Sequence, residues 1–386
     1  MGAAGLIILM VACAAAAAVA ALLVRRYAPF AGGSGIPHVE AVLTGRLAPA
    51  PLVLVPVKFI GGVLAIGGGL ALGREGPSVQ MGASIAHSTA LLFRRGAPDC
   101  RVMLGAGAGA GLATAFNAPL AGSIFVLEEL LRRFDTRVTV ATLGASAGAI
   151  TVSRWILGDA PDLTIGPLPY AAFGHLPLFL VLGVIAGILG AAYNRATTGL
   201  LDAGGRIRLA PVELRAGVIG ALVGALAWFA PGAVGGGDRI TQFTLTALPP
   251  VSIILPVFLV RFVLGPVSYA ARTPGGLFAP MLVIGAQAGV MFAHAVSYLV
   301  PRSNPDATAL GLVGMAAFFA AVVRAPVTGI VLVTEMTGGF SMLLPMLAAC
   351  LPAMVIPALM RNTPIYESLF ERTVGPRSGH NSGAAA

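Results

Sequence analysis

Charge is what this 386-residue chain has least of: Asp, Glu, Lys and Arg together make up 10% of it, where a soluble domain carries about 25%. With 57% hydrophobic residues and a mean hydropathy of +0.90, too little polar surface remains to cover a water-facing globule. Lysine is nearly missing, since Lys58 is the only one. The net charge of +9 is therefore arginine, clustered at Arg25-Arg26, Arg94-Arg95-Arg101, Arg132-Arg133-Arg137 and Arg361-Arg372-Arg377. In an apolar chain such clusters mark cytoplasmic loops and do not imply nucleic acid as a partner. Cysteine is scarce too: Cys13, Cys100 and Cys350 are too scattered for a disulfide framework or a zinc site. His87 and His294 stand alone in apolar segments without metal-ligand spacing.

Long apolar stretches are abundant. They fall at 3–24, 52–72, 103–116, 118–131, 138–157, 174–194, 212–230, 250–269, 279–299, 308–323, 326–338 and 341–358. The first lacks the basic leader of a signal peptide and ends at Arg25-Arg26, so it reads as a retained helix with its C-terminal end in the cytoplasm. Several others fall short of the roughly 20 residues a spanning helix needs. The 51 glycines and 28 prolines lie inside these stretches. Proline fits the first turn of a helix and disfavours helical geometry just before itself. Gly76-Pro77, Ala118-Pro119, Ala279-Pro280 and Ala325-Pro326 therefore predict helices that start inside the membrane. Such breaks are tolerated only where protein or a cavity satisfies the freed backbone groups.

The chain also repeats. The run from Asn117 through Gly122 to Glu128 matches the run from Arg324 through Gly329 to Glu335, 207 positions on, and the run from Gly73 through Pro77 to Gly82 matches Gly276 through Pro280 to Gly285, 203 positions on. The predicted fold class is all-α: a polytopic membrane protein of two inverted-topology repeats, with broken helices around a central pathway. The halves are 1–165 and 166–370, joined near 158–173, with 371–386 as a disordered cytoplasmic tail. Broken helices at matching places in two halves point to an ion site near the bilayer midplane.

A helix N-terminus offers unpaired N–H groups and about half a positive charge, a berth for a small anion without a full countercharge. Three candidate N-termini are glycine-rich: Gly32-Gly33-Ser34-Gly35-Ile36-Pro37, Gly73-Arg74-Glu75-Gly76-Pro77 and Gly275-Gly276-Leu277-Phe278-Ala279-Pro280. Glu75 is the notable acid there, because charge inside a membrane is costly and functional by default. The GAGAGAG run at 105–111 loosely matches a dinucleotide loop, but it lies within an apolar stretch, where close helix packing accounts for it better.

These motifs, with FNAPLAG followed by LEE, RAPVTGIVLVTEMT and a late PIY, resemble the CLC family of chloride channels and chloride/proton antiporters, in order from about residue 24 to 370. The resemblance implies a chloride site made by Ser34, Gly35, Ile36, Glu75, Gly76, Leu277, Phe278 and Tyr366, with the Ser34 and Tyr366 hydroxyls and the Leu277 and Phe278 amides as central ligands. It implies Glu75 as the gate, whose carboxylate stands in for an anion until protonated. Glu129 matches the inner proton acceptor of the exchangers, and Glu128 beside it is a second proton-transfer candidate. Residues adjacent on a helix point about 100° apart, so only one of the two can face the proton route. The structural reading of Glu128, Glu335, Arg324, Glu40 and Lys58 is that they hold helix ends.

The implied function is chloride/proton exchange by a homodimer in the cell membrane. Its partners are chloride, protons and the lipid bilayer, with no cofactor beyond chloride as bound substrate. A passive chloride channel is the alternative. An intramembrane serine protease using Ser34 with His87 or His294 is the remote one. Two departures accompany the resemblance: the family usually has one more helix at the start, and His38 stands where an acid is common.

Overall fold

The computed structural model describes residues 2–159, 162–166, 168, 170, 173–206, 210–302 and 305–375. Its described residues form sixteen α-helices and no β-strands. In the first half these are α1 (Ala3–Tyr27), α2 (Ile36–Leu43), α3 (Leu54–Gly67), α4 (Glu75–Leu92), α5 (Ala97–Phe116), α6 (Pro119–Phe125) and α7 (Thr136–Leu157). A π-helical turn over Val126–Leu130 extends α6. The second half holds α8 (Leu176–Arg206), α9 (Val212–Phe229), α10 (Asp238–Ala247), α11 (Val251–Ala270), α12 (Phe278–Leu299), α13 (Ala307–Val323), α14 (Pro326–Thr337), α15 (Leu343–Leu359) and α16 (Ile365–Val374).

Every expected break is a helix start. Pro119 and Pro326 open α6 and α14, while Pro77 and Pro280 sit in the first turns of α4 and α12. The preceding helices α5 and α13 stop at Asn117 and Arg324, both left-handed with φ of 50° and 72°. There a single residue reverses the chain, and the Ala-Pro pair that follows blocks further helix. Asp135 and Asp306 cap α7 and α13, accepting from the Val138 amide at 3.1 Å and the Ala309 amide at 3.0 Å.

The inversion of the two halves can be read from four helix ends. Glu128, at the C-terminal end of α6, accepts hydrogen bonds from the amides of Val327 (3.0 Å) and Thr328 (2.7 Å) and from the Thr328 hydroxyl (2.7 Å), all in the first turn of α14. Glu335, near the end of α14, accepts from the amides of Leu120 (3.0 Å) and Ala121 (2.7 Å) at the start of α6. Each helix ends where the other begins, so α6 and α14 are antiparallel. A carboxylate is a strong partner for such N-terminal amides.

Glycines set how closely the helices approach. A Cβ on Gly107 would lie 2.3 Å from the Gly82 carbonyl oxygen, and one on Gly314 would lie 2.3 Å from that of Gly285. The α4–α5 pair and its repeat, α12–α13, thus touch backbone to backbone at matching places. The GAGAGAG run is a packing seam.

Six helices are long and apolar enough to cross a membrane: α1, α7, α8, α9, α11 and α12. The first of them is the apolar stretch nearest the N-terminus. Arginine ion pairs join helix ends on one face: Arg25–Glu213 and Arg372–Asp202, each 2.5 Å, and Arg137–Asp99, also 2.5 Å. By the excess of arginine this face is the cytoplasmic one. The opposite face carries the connection between the halves, where the Leu163 amide bonds the Met336 carbonyl (3.2 Å) and Thr164 exchanges two bonds with Gln242 (2.9 and 2.7 Å). At the other end, α16 runs to Val374, past the boundary drawn at 370, because Leu369 is buried and Arg372 is anchored on Asp202. Residues 371–374 are therefore helix, not tail; 376–386 lie outside the described residues.

Candidate anion and proton site

Three glycine-rich loops are tied to one another by main-chain bonds. Gly73 and Gly276 exchange a reciprocal pair (2.8 and 2.7 Å), while the Gly33 amide bonds the Thr273 carbonyl (3.0 Å) and the Gly275 amide bonds the Gly33 carbonyl (3.0 Å). Those bonds place the N-termini of α2, α4 and α12 side by side, from segments more than 200 residues apart in the chain.

Side chains at these ends are buried. Ser34 is 0% exposed, and its Oγ accepts from the Ile36 amide at 3.3 Å, just ahead of the Gly35 N-cap of α2. Gly35, left-handed at φ 82°, precedes Ile36, the first residue of α2. A Cβ there would run into Gln80, whose Nε2 donates to the Phe30 carbonyl at 2.9 Å and lies 3.3 Å from His38 Nδ1. Gly76 faces Ser34 so closely that an added Cβ would sit 2.7 Å from the Ser34 Cβ. Leu277 and Phe278, both fully buried, form the N-cap and first residue of α12. The Phe278 ring lies 5.9 Å from that of Tyr366, which is also 0% exposed in the first turn of α16. The Tyr366 hydroxyl has no hydrogen-bond partner within the protein.

Glu75 is the first residue of α4 and is 1% exposed. Its carboxylate folds back over Gly73, where any Cβ would collide with it, and the backbone amides of Glu75 itself and Ala279 act electrostatically on it. One oxygen, Oε2, keeps no partner. A carboxylate thus lies at the paired N-termini of α4 and α12. The structure brings together all eight residues expected at the chloride site.

Glu129 lies on the cytoplasmic side of this cluster. It is 4% exposed, and Oε1 has no partner. Arg132, Glu40, Glu128 and Glu367 are the charges around it. Arg132 bridges Glu40 and Glu367 at 3.7 Å each, beside a cavity of about 950 Å³ that opens among Glu40, Arg132, Glu367 and Arg372. The two adjacent glutamates, both in the π-helical turn, differ in surroundings: Glu128 bonds the N-terminus of α14, and Glu129 is buried among the charges of Arg132, Glu40 and Glu367. Tyr366 is within electrostatic reach of both Glu75 and Glu129.

A family model described as voltage gated chloride channel matches residues 9–358. The chain belongs to this CLC family. The H(+)/Cl(-) exchange transporter ClcA of Klebsiella pneumoniae is 37% identical over 371 residues, covering 94% of this chain and 78% of that protein. Its namesake in Salmonella paratyphi A is 36% identical over 368 residues, covering 93% and 77%. Among solved structures, a slow cyanobacterial Cl-/H+ antiporter has a TM-score of 0.92 at 34% identity, covering 97% of this chain and 88% of its own. A eukaryotic CLC transporter shares the fold at TM-score 0.82 and 24% identity, over 97% and 67% of the two chains.

Other residues complete the site of this CLC chain and were not legible as parts of it. Lys58 is fully buried, and its ammonium donates to the carbonyls of Ala31 (2.9 Å) and Gly33 (2.8 Å). It holds the loop ahead of Ser34, not a helix end. Being the only lysine was its one signal. Arg324 and Asn194 fix the lead-in to α16, donating to the Asn362 carbonyl (3.0 Å) and to the Thr363 carbonyl (3.3 Å). Tyr269, whose hydroxyl meets the Ser34 amide at 3.4 Å, gave no signal at all.

Proposed function

We propose that this CLC protein, a multi-pass protein of the cell membrane, exchanges chloride for protons with Glu75 as the shared gate. The observation that carries the reading is the position of the Glu75 carboxylate, buried where the Gly73–Gly276 bonds bring two helix N-termini from opposite halves together. An ionised carboxylate there competes with chloride for the same donors. Once protonated it loses its attraction to them, and the side chain can leave the position to an anion. One group then alternates between holding a proton and yielding to chloride.

In this scheme Ser34 and Tyr366 donate hydroxyls, and Leu277 and Phe278 donate amides, to chloride inside that gate. Neutral donors dehydrate the ion without trapping it. Glu129 loads protons from the cytoplasmic cavity, and Glu128 is a second candidate for that transfer. The 37% identity to a named H(+)/Cl(-) exchange transporter supports exchange over a passive channel. A homodimer with one pathway per subunit fits the family resemblance; counting photobleaching steps of singly labelled protein in bilayers tests it.

The deciding experiment imposes a chloride gradient on liposomes containing the purified protein and follows protons. Protons driven uphill, and lost in Glu75→Ala while chloride still moves, support exchange. Chloride flux that protons never follow makes the protein a channel.

A further inference from the structure

The Ser34 amide belongs to a peptide whose orientation is fixed from behind. The Gly33 carbonyl accepts from Lys58 Nζ at 2.8 Å and from the Gly275 amide at 3.0 Å. In a trans peptide the C=O and the following N–H point in opposite directions. With the oxygen drawn toward Lys58 and Gly275, the Ser34 N–H is aimed the other way, where the Tyr269 hydroxyl meets it at 3.4 Å. The same hydroxyl contacts the Ser34 side chain.

Tyr269 stands at a boundary. It is 7% exposed, and it lines a cavity of about 710 Å³ together with Gly33, Gly35, Arg25, Arg272 and Arg372. Arg25 and Arg372 are paired with Glu213 and with Asp202, which also lines the cavity, so Arg272 supplies its unbalanced positive charge, one that favours anions. The ring packs over Gly33, at φ 63°, where a Cβ would lie 2.9 Å from the tyrosine oxygen. On the far side lie Ser34 and Tyr366, and Tyr269 acts electrostatically on Tyr366. An anion entering from the cytoplasm therefore meets a backbone donor that a tyrosine oxygen already holds.

We propose that Tyr269 is an inner latch: its hydroxyl occupies the Ser34 amide in place of an entering anion and must be displaced for chloride to pass between the cytoplasmic cavity and the Ser34–Tyr366 site. Tyr269 is then a specificity- and rate-setting residue of the chloride path, beyond the ligands and the gate described above. The proposal rests on the reading of that path as one for chloride.

Tyr269→Phe removes the oxygen and keeps the ring. Calorimetric titration of the purified protein with chloride is expected to show binding about fivefold tighter, the equivalent of one competing net hydrogen bond. In oriented liposomes the half-saturating chloride concentration falls by the same factor from the cytoplasmic side and stays unchanged from the other. Tyr269→Leu also releases the amide and has to reproduce the shift, which guards against a folding defect of the first variant. Unchanged or weaker binding in both variants overturns the latch, as does an equal shift at both faces, which would report general loosening. Because the titration does not require transport, a parent protein that binds chloride but moves no protons refutes the exchange reading alone. A parent that binds no chloride removes both.

Discussion

The two halves of the molecule share a scaffold and divide the chemistry. Gly82 and Gly107 in the first half meet as Gly285 and Gly314 meet in the second, and Glu128 caps α14 as Glu335 caps α6. Where the first half has Glu75, however, the second has Phe278, and where the first has Glu129 the second has Met336. The proposed anion donors therefore come from both repeats, whereas the three proton-carrying candidates, Glu75, Glu128 and Glu129, come from one. An inverted duplication points two helix N-termini at a single place. Because Glu75 and Glu129 have no acidic counterparts in the second copy, the proposed exchange has a one-sided proton route across a two-sided anion site.

The sharpest way to break this comparison is at Glu75. Glu75→Gln puts a permanently neutral side chain where the gate is, making the first half resemble the second. Chloride flux is expected to persist with no response to external pH, and proton flux to drop to that of empty liposomes. A mutant that still drives protons uphill would leave the asymmetry without consequence. Glu129→Gln is the next largest test. It should lower proton flux on the order of 10²-fold, as loss of a positioned proton-transfer group does, while chloride binding measured by calorimetry stays as in the parent. Met336, at the matching place, is exchangeable for Leu without effect on either flux.

Glycine contacts test the shared half of the comparison. Gly107→Ala and Gly314→Ala each push a methyl group into a facing carbonyl, and overpacking of this kind costs about 1–3 kcal/mol. Thermal unfolding in detergent should show losses of similar size for the two. A loss at one site only would mean that the seams are not equivalent in the folded protein.

The sequence made the scaffold legible because the scaffold depends on local chemistry. Pro after Ala or Gly stops one helix and starts the next whatever surrounds it, so all four breaks could be placed from dipeptides. The twelve apolar stretches likewise each became helix. The helices α2, α4, α10 and α16 were not among those stretches: α4, 18 residues long, was marked only by its Gly76-Pro77 start, α2, α10 and α16 are 8, 10 and 10 residues long, and α10 carries Asp238, Arg239 and Gln242 in a polar run. Their positions are set by contacts, such as Asn194 and Arg324 holding the entry to α16. Motif residues of the site could be named because they sit at helix starts. Lys58, Gln80 and Tyr269 could not, because each acts on a loop from another helix. Nothing in the neighbouring sequence of Tyr269 reveals that its hydroxyl ends on Ser34.

Glu128 and Glu335 yield the smallest expected effect and the finest discrimination. If both serve only as reciprocal caps, Glu128→Gln and Glu335→Gln should behave alike. Each leaves amides at a helix start with a weaker partner, and loss of such a cap costs about 0.5–2 kcal/mol. The thermal midpoints should fall together, with proton-to-chloride stoichiometry unchanged in both. A role for Glu128 in proton transfer predicts a different pattern: the two variants lose equal stability, yet only Glu128→Gln lowers proton flux. Stability alone cannot separate these outcomes, since each carboxylate accepts from two amides at the start of the other's helix. The ratio of proton to chloride flux can, because Glu335 lies in the half whose counterpart to Glu129 is Met336. Equal stoichiometry in the two variants assigns the carboxylate pair to the scaffold and leaves Glu129 as the inner acid.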